Sequence, residues 1–237
     1  MTELDIAHLL GRVRKSNLGN TGGVSSVVFD VMGTLFDLDP ARRAFVELGA
    51  PAAALEAWFQ RVLHEAATLT IVDDYRPFTE LATAALGTTL EQLGLDAAAT
   101  APLDALAELE PYPDAAGALE RLHDRGVTVV ALTNGSSEST EQLLERGGLR
   151  RYLNDVISCD EVRRFKPHRA PYELALQRVG GSATMVAAHG WDIVGARAAG
   201  LDGIWVAREE KSWPFPLDAP ATAADLSGAA DAFLAAR

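Results

Sequence analysis

The chain has 237 residues, 48% of them apolar, which is enough to bury a sizeable interior as one large domain or as a core with a smaller companion. Its 33 acidic and 21 basic residues leave a formal net charge of −12, which repels phosphate backbones and anionic membranes and argues against nucleic acid and membrane partners. A lone cysteine, Cys159, excludes an internal disulfide framework and a multi-thiolate metal site, as a cytoplasmic protein would allow.

The acidic start MTELD lacks the basic segment of a signal peptide, and apolar runs such as Val129 to Leu132 are too short to cross a bilayer. Ile6, Leu9, Leu10 and Val13 stand at i, i+3, i+4 and i+7, one face of a helix, and the polar SNLGNTGG that follows reads as a linker. Residues 1–23 are therefore expected to form an N-terminal helix and linker. That helix docks on the core, joins two subunits in a homodimer, or is a loosely held terminal helix.

From Val24 onward, short β-branched runs (VVFD, VTVVAL, VISC, TMVAA, GIWVA) alternate with helical stretches. This predicts an α/β fold: a Rossmann-like parallel sheet with helices on both faces, whose ligands bind at the carboxyl ends of the strands. Between the first two strands, residues 38–112 carry no convincing strand. PAAALEAWFQRVLHEAATLT and PFTELATAALGTTLEQLGL there have helical composition and period. The expectation is an inserted all-α helical-bundle cap at 38–112, acting as a lid, with the Rossmann-like core formed by 24–37 and 113–237.

Four stations carry candidate chemistry, three at strand ends and one, Lys166, in a loop several residues beyond a strand. Asp30 ends the first strand in VVFDVMGTLFD, where the Gly33 turn lets backbone amides approach and Thr34 can orient a nucleophilic carboxylate. In ALTNGSSES, Thr133 and Asn134 precede serines that open a helix, an arrangement suited to an anionic group. Lys166 in RRFKPHRAPYEL, with Tyr172 six positions on, would keep a neighbouring Asp ionised. Asp192 follows the last of these strands in MVAAHGWDIVGARAAGL, a second acid near Asp30. Each station alone also reads as ordinary structure: a turn carboxylate, a helix cap, a surface lysine and a helix-dipole acid.

In this order, a strand-end D-x-x-G-T, then T-N, then K-P, then an acid before G-A-x-x-A-G-L resembles the haloacid dehalogenase superfamily over residues 24–210. DVMGTLFD, LTNGS, FKPHRAPYELA and HGWDIVGA are similar to its L-2-haloacid dehalogenase group. The resemblance implies that Asp30 is the nucleophile, oriented by Thr34, that Thr133 and Asn134 are its polar partners, and that Lys166 and Asp192 are supporting charges. Phosphatases of the superfamily carry acids where this chain has Met32 and Ala188. Without the Met32 acid an alkoxide has no proton donor, whereas halide leaves unprotonated; without the other, magnesium loses an oxygen ligand.

The implied reaction is hydrolytic dehalogenation of small 2-haloalkanoic acids. Asp30 displaces halide to form an ester, which water placed with help from Asp192 hydrolyses; neither a cofactor nor a metal is required. Expected substrate contacts are Met32, Trp58, Phe59, Arg61, Tyr172, His189 and Trp191, with Phe36 also in an apolar pocket. Two positions depart from the group. Phe59 stands where an arginine usually follows the tryptophan, leaving Arg61 as the candidate replacement, and His189 stands where asparagine is frequent. His189 would orient water, bind an anion, or simply be satisfied by its neighbours. A phosphatase or another hydrolase with a good leaving group, and a silent binding protein that keeps the fold, stay open as alternatives.

Overall fold

The computed structural model describes residues 26–237, so the expected N-terminal helix lies outside the described residues. Strand β1 (Ser26–Phe29) is followed by α1 (Asp39–Glu47), α2 (Ala54–Ile71), α3 (Phe78–Gln92), α4 (Ala101–Asp104) and a 3-10 turn at Ala105–Glu108. The chain then alternates: α5 (Ala115–Asp124), β2 (Thr128–Thr133), α6 (Ser137–Arg146), β3 (Asp155–Ser158), α7 (Arg169–Arg178), β4 (Thr184–Ala187), α8 (Gly190–Ala199) and β5 (Asp202–Val206). A short edge strand β6 (Ala221–Ala223) and α9 (Leu226–Ala235) complete it.

The sheet is parallel throughout, in the order β3-β2-β1-β4-β5-β6. The five apolar runs read from the sequence each form a strand. The sixth, β6, was not expected: Ala-Thr-Ala is too short and too weakly β-branched to signal a strand, and it exists by pairing with Ile204–Val206 of β5. Val27 and Phe29 pack on one side with Leu119, Leu122 and Phe233, while Val28, Val130 and Leu132 pack on the other with Tyr172, Ala175 and Ile193. Burial on both faces is why these strands read as continuous apolar runs rather than alternating ones.

The chain runs from β1 to β2 and β3 on one side, then returns to β4 on the other. The β1/β4 boundary is thus a topological switch point, where the loops at the strand ends diverge and leave a crevice. Asp30 extends β1 there, its N–H donating to the Val186 carbonyl at 3.1 Å.

The helices inserted between β1 and β2 have an apolar cluster largely their own, built from Phe45, Leu55, Trp58, Val62, Leu81 and Leu86, into which Cys159 and Phe165 of the core also pack. The two chain crossings into this cap lie side by side: Asp37 N–H donates to Glu110 O and Tyr112 N–H to Leu35 O, both at 2.9 Å. On the far side, the rings of Tyr75 and Phe78 lie 5.0 and 5.9 Å from that of Phe165. The Tyr75 hydroxyl donates to Asp160, and Arg164 pairs with Asp73. These contacts hold the cap over the strand ends. Among the described residues no helix is long and apolar enough to cross a membrane.

Packing behind the strand ends is tight where α8 passes α7. A Cβ on Gly195 would fall 2.6 Å from Pro167 Cβ and 2.7 Å from the Tyr172 hydroxyl, so only glycine fits. Gly195→Ala is expected to destabilise the fold by about 1–3 kcal/mol through overpacking. Urea denaturation measures this, and an unchanged midpoint would show that the contact relaxes freely.

Candidate active site

Strand alternation places Asp30 on the same side of the sheet as Val28, toward α7 and α8. The turn after it closes through Gly33, at φ +75°, whose N–H donates to Phe36 O at 2.8 Å. A side chain there would be strained and would meet the His189 ring at 2.9 Å. Thr34 ties this turn to the end of β4: its hydroxyl donates to Asp30 Oδ2 at 2.7 Å and accepts the Ala188 N–H at 2.9 Å.

Lys166 is buried, and its ammonium has three acceptors: Asp30 Oδ1 and Asp192 Oδ2, each at 2.8 Å, and the Leu132 carbonyl at 3.0 Å. The loop carrying it is anchored by Asn134 Oδ1, which accepts the Lys166 N–H at 2.9 Å and the Cys159 thiol at 3.2 Å. Thr133 Oγ1 accepts the Gly135 N–H at 3.0 Å, shaping the turn into α6, whose N-cap Ser136 accepts from Ser139. The Tyr172 hydroxyl donates to Asp192 Oδ1 at 2.5 Å. His189 Nδ1 lies 3.0 Å from Asp30 Oδ2, its ring between those of Phe59 and Trp191 at 5.6 and 5.4 Å.

The charges divide unequally. Burial works to raise the Asp30 carboxyl, but Lys166 and then His189 outweigh it and hold the group well below the usual carboxylate range. Asp192 is raised, first by complete burial, with the Asp30 charge adding to it against the pull of Lys166. Lys166 itself is raised, because Asp192 and Asp30 together overcome its burial. His189 is raised by its bond to Asp30, against burial. Asp30 is therefore the ionised, oriented carboxylate of the group. Burial pushes the Cys159 thiol up to about 12, so it is no nucleophile.

A small cavity opens on Asp30, with apolar walls from Met32, Phe59, Phe78 and Trp191 and polar ones from Thr133, Asn134, Gly135, Lys166 and His189. Phe78 and Gly135 were not foreseen: nothing in the sequence marks Phe78, which reaches the site only because α3 begins beside it. Four expected contacts lie elsewhere. Trp58 is in the cap core, 1% exposed, donating to Ala82 O at 3.0 Å. Arg61 bonds Gln92 at 2.7 Å and does not line the cavity, because it stands about 200° around α2 from Phe59. Tyr172 is fully buried behind Asp192, and Phe36 is in the core of the sheet layer.

Residues 24–200 match the haloacid dehalogenase-like hydrolase family. The chain belongs to that family. Among its relatives, (S)-2-haloacid dehalogenase 1 of Pseudomonas sp. (strain CBS-3) is 35% identical, covering 79% of this chain and 86% of the relative. (S)-2-haloacid dehalogenase 4A of Burkholderia cepacia is 34% identical over 77% and 82%. The solved L-2-haloacid dehalogenase from Xanthobacter autotrophicus with chloropropionic acid covalently bound superposes with a TM-score of 0.78 at 26% identity, over 88% of this chain and 97% of that one.

The residues of this hydrolase do not fit the magnesium that the phosphatase members of the superfamily use. Both Asp30 oxygens are engaged by Lys166, Thr34 and His189, Lys166 Nζ fills the gap between the two aspartates, and Met32 and Ala188 offer no side-chain oxygen.

Because Asp30 is depressed, its share of stability is present above the unfolded carboxylate value of about 4 and is lost as pH falls toward its folded value. Lys166→Met leaves buried Asp192 without a cation and Asp30 with His189 alone, and is expected to cost about 3–5 kcal/mol at neutral pH. The deficit relative to wild type should shrink below about pH 4, where Asp30 of the variant is protonated. Denaturant titrations across pH measure this, and a deficit that stays constant into acid would contradict it. Tyr172→Phe should cost about 1.5–3 kcal/mol in the same assay, as for a hydrogen bond to a charged group.

Proposed function

We propose that this hydrolase converts small 2-haloalkanoic acids to 2-hydroxy acids through an ester on Asp30. The single observation that carries the reading is the Lys166 ammonium, 2.8 Å from Asp30 and from Asp192, which keeps a nucleophilic carboxylate ionised in a cavity walled by Met32, Phe59, Phe78 and Trp191. The names of the relatives, and the chloropropionic acid covalently bound in the solved Xanthobacter autotrophicus enzyme, point to the same substrate class.

Thr34 and Lys166 orient Asp30, so its oxygen attacks the halogen-bearing carbon in line with the departing halide, and the apolar wall excludes competing water. Asn134 lines the cavity with its carbonyl oxygen committed to Lys166 N–H, leaving its amide hydrogens for the substrate carboxylate. Asp192, bound to Lys166 and Tyr172, positions the lysine. Phosphate-ester cleavage fits poorly. In-line attack puts the leaving group on the side away from Asp30, whereas the ionisable donors that line the cavity among the described residues, Lys166 and His189, are bonded to Asp30 itself, and Met32 takes the place of an acid.

Wild type is expected to release halide from L-2-chloropropionate at the same rate with and without EDTA. The product should be the D-2-hydroxy acid, since back-side displacement inverts the carbon. Asp30→Asn should fold and release none. Magnesium-dependent hydrolysis of p-nitrophenyl phosphate that EDTA abolishes, with no halide released from haloacids, would overturn this reading.

A further inference from the structure

Hydrolysis of an ester on Asp30 needs a base, and Asp192 is closed to water. Its side chain is 0% exposed, one oxygen accepts from Lys166, the other from Tyr172, and no part of it reaches the cavity. Lys166 is itself fully hydrogen-bonded and cationic. Of the titratable groups lining the cavity, that leaves His189.

We propose that His189 is the general base that activates water against the Asp30 ester; this rests on the dehalogenase reading above. Its Nδ1 is 3.0 Å from Asp30 Oδ2, so a water bonded to that nitrogen sits beside Asp30 Cγ, the atom to be attacked. The ring stacks on Trp191 at 5.4 Å and meets Phe59 at a tilt at 5.6 Å, and its edge rests on Gly33, where even a methyl group would collide. A fixed ring costs no reorganisation at the moment of proton transfer. Behind it, His189 lines a second cavity of ≈ 230 Å³ together with Gly33, Leu55, Gln60 and Ala188, which has room for several waters.

The charge balance supports the timing. While Asp30 is a carboxylate, it favours the protonated ring; once it is alkylated that charge is gone, burial favours the neutral imidazole, and one proton leaves to solvent. Water oxygen then bonds to Cγ as Nδ1 takes one of its protons. The Cγ–O bond to the substrate breaks, and the departing alkoxide takes the water's other proton. Asp30 returns as carboxylate and His189 as cation. The sum is haloacid plus water giving hydroxy acid, halide and one proton.

His189→Asn and His189→Gln keep an N–H donor for Asp30 but no basic nitrogen. With L-2-chloropropionate under rapid quench, each variant is expected to release one halide per active site at close to the wild-type rate. Steady-state turnover should then fall by about 10²–10⁴-fold, with the substrate's propionate group retained on the Asp30 peptide by mass spectrometry. On unaltered wild type, decay of that adduct should be slower in D₂O while its formation is not. Turnover of either variant within a few-fold of wild type overturns the proposal, as does loss of the first halide with no adduct, which would make the ring a positioning group only. An adduct decay indifferent to D₂O also overturns it, independently of how the variants fold. Wild type that releases no halide from any 2-haloacid removes the dehalogenase reading, and this proposal with it.

Discussion

One ammonium group holds this site together. Lys166 Nζ, buried and given three acceptors, joins the end of β1, the end of β2 and the start of α8 through Asp30, the Leu132 carbonyl and Asp192. Two carboxylates this close would repel each other and drive protons onto one of them. The lysine prevents that for Asp30 and leaves the cost on Asp192, which burial and the neighbouring charge push upward while Tyr172 and Lys166 hold it in place.

The rest of the fold serves to bring that lysine in. It stands on a loop that no strand carries, and its backbone is fixed by Asn134 from the β2 end and by aromatic packing of the cap on Phe165. Because β1 is central and the chain reverses direction across it, the loops after β1, β2 and β4 meet at one point. Thr34 bridges two of them with a single hydroxyl that donates to Asp30 and accepts from Ala188. These hydrogen bonds link the loops to one another, so a change that loosens one loop also misaims the Asp30 carboxylate.

The two positions that depart from the L-2-haloacid dehalogenase group, Phe59 and His189, touch each other across the cavity at 5.6 Å between ring centroids. An arginine at 59 would place a cation beside a histidine that Asp30 already favours in its charged form. An aromatic ring instead supplies a surface against which the imidazole packs, and Trp191 stacks on the same imidazole.

The sequence alone determined five of the six strands, the carboxylate at the end of the first, and the order of Thr133, Asn134, Lys166 and Asp192. Strand-end positions follow from local hydrophobic period, and the residue types fit a charged site. Helix phase was decided only by tertiary packing. On α2, which of Trp58, Phe59 and Arg61 lines the cavity depends on where α3 lies: Trp58 turns into α3, Phe59, about 100° on, faces the cavity that opens on Asp30, and Arg61 points away to Gln92. Phe78 enters the site and Tyr172 is sealed behind Asp192 for the same reason. Edge strand β6 likewise arises from its neighbour, since three small residues have no period to read. Local pattern fixes what a residue can do, and packing across distant segments fixes what it faces.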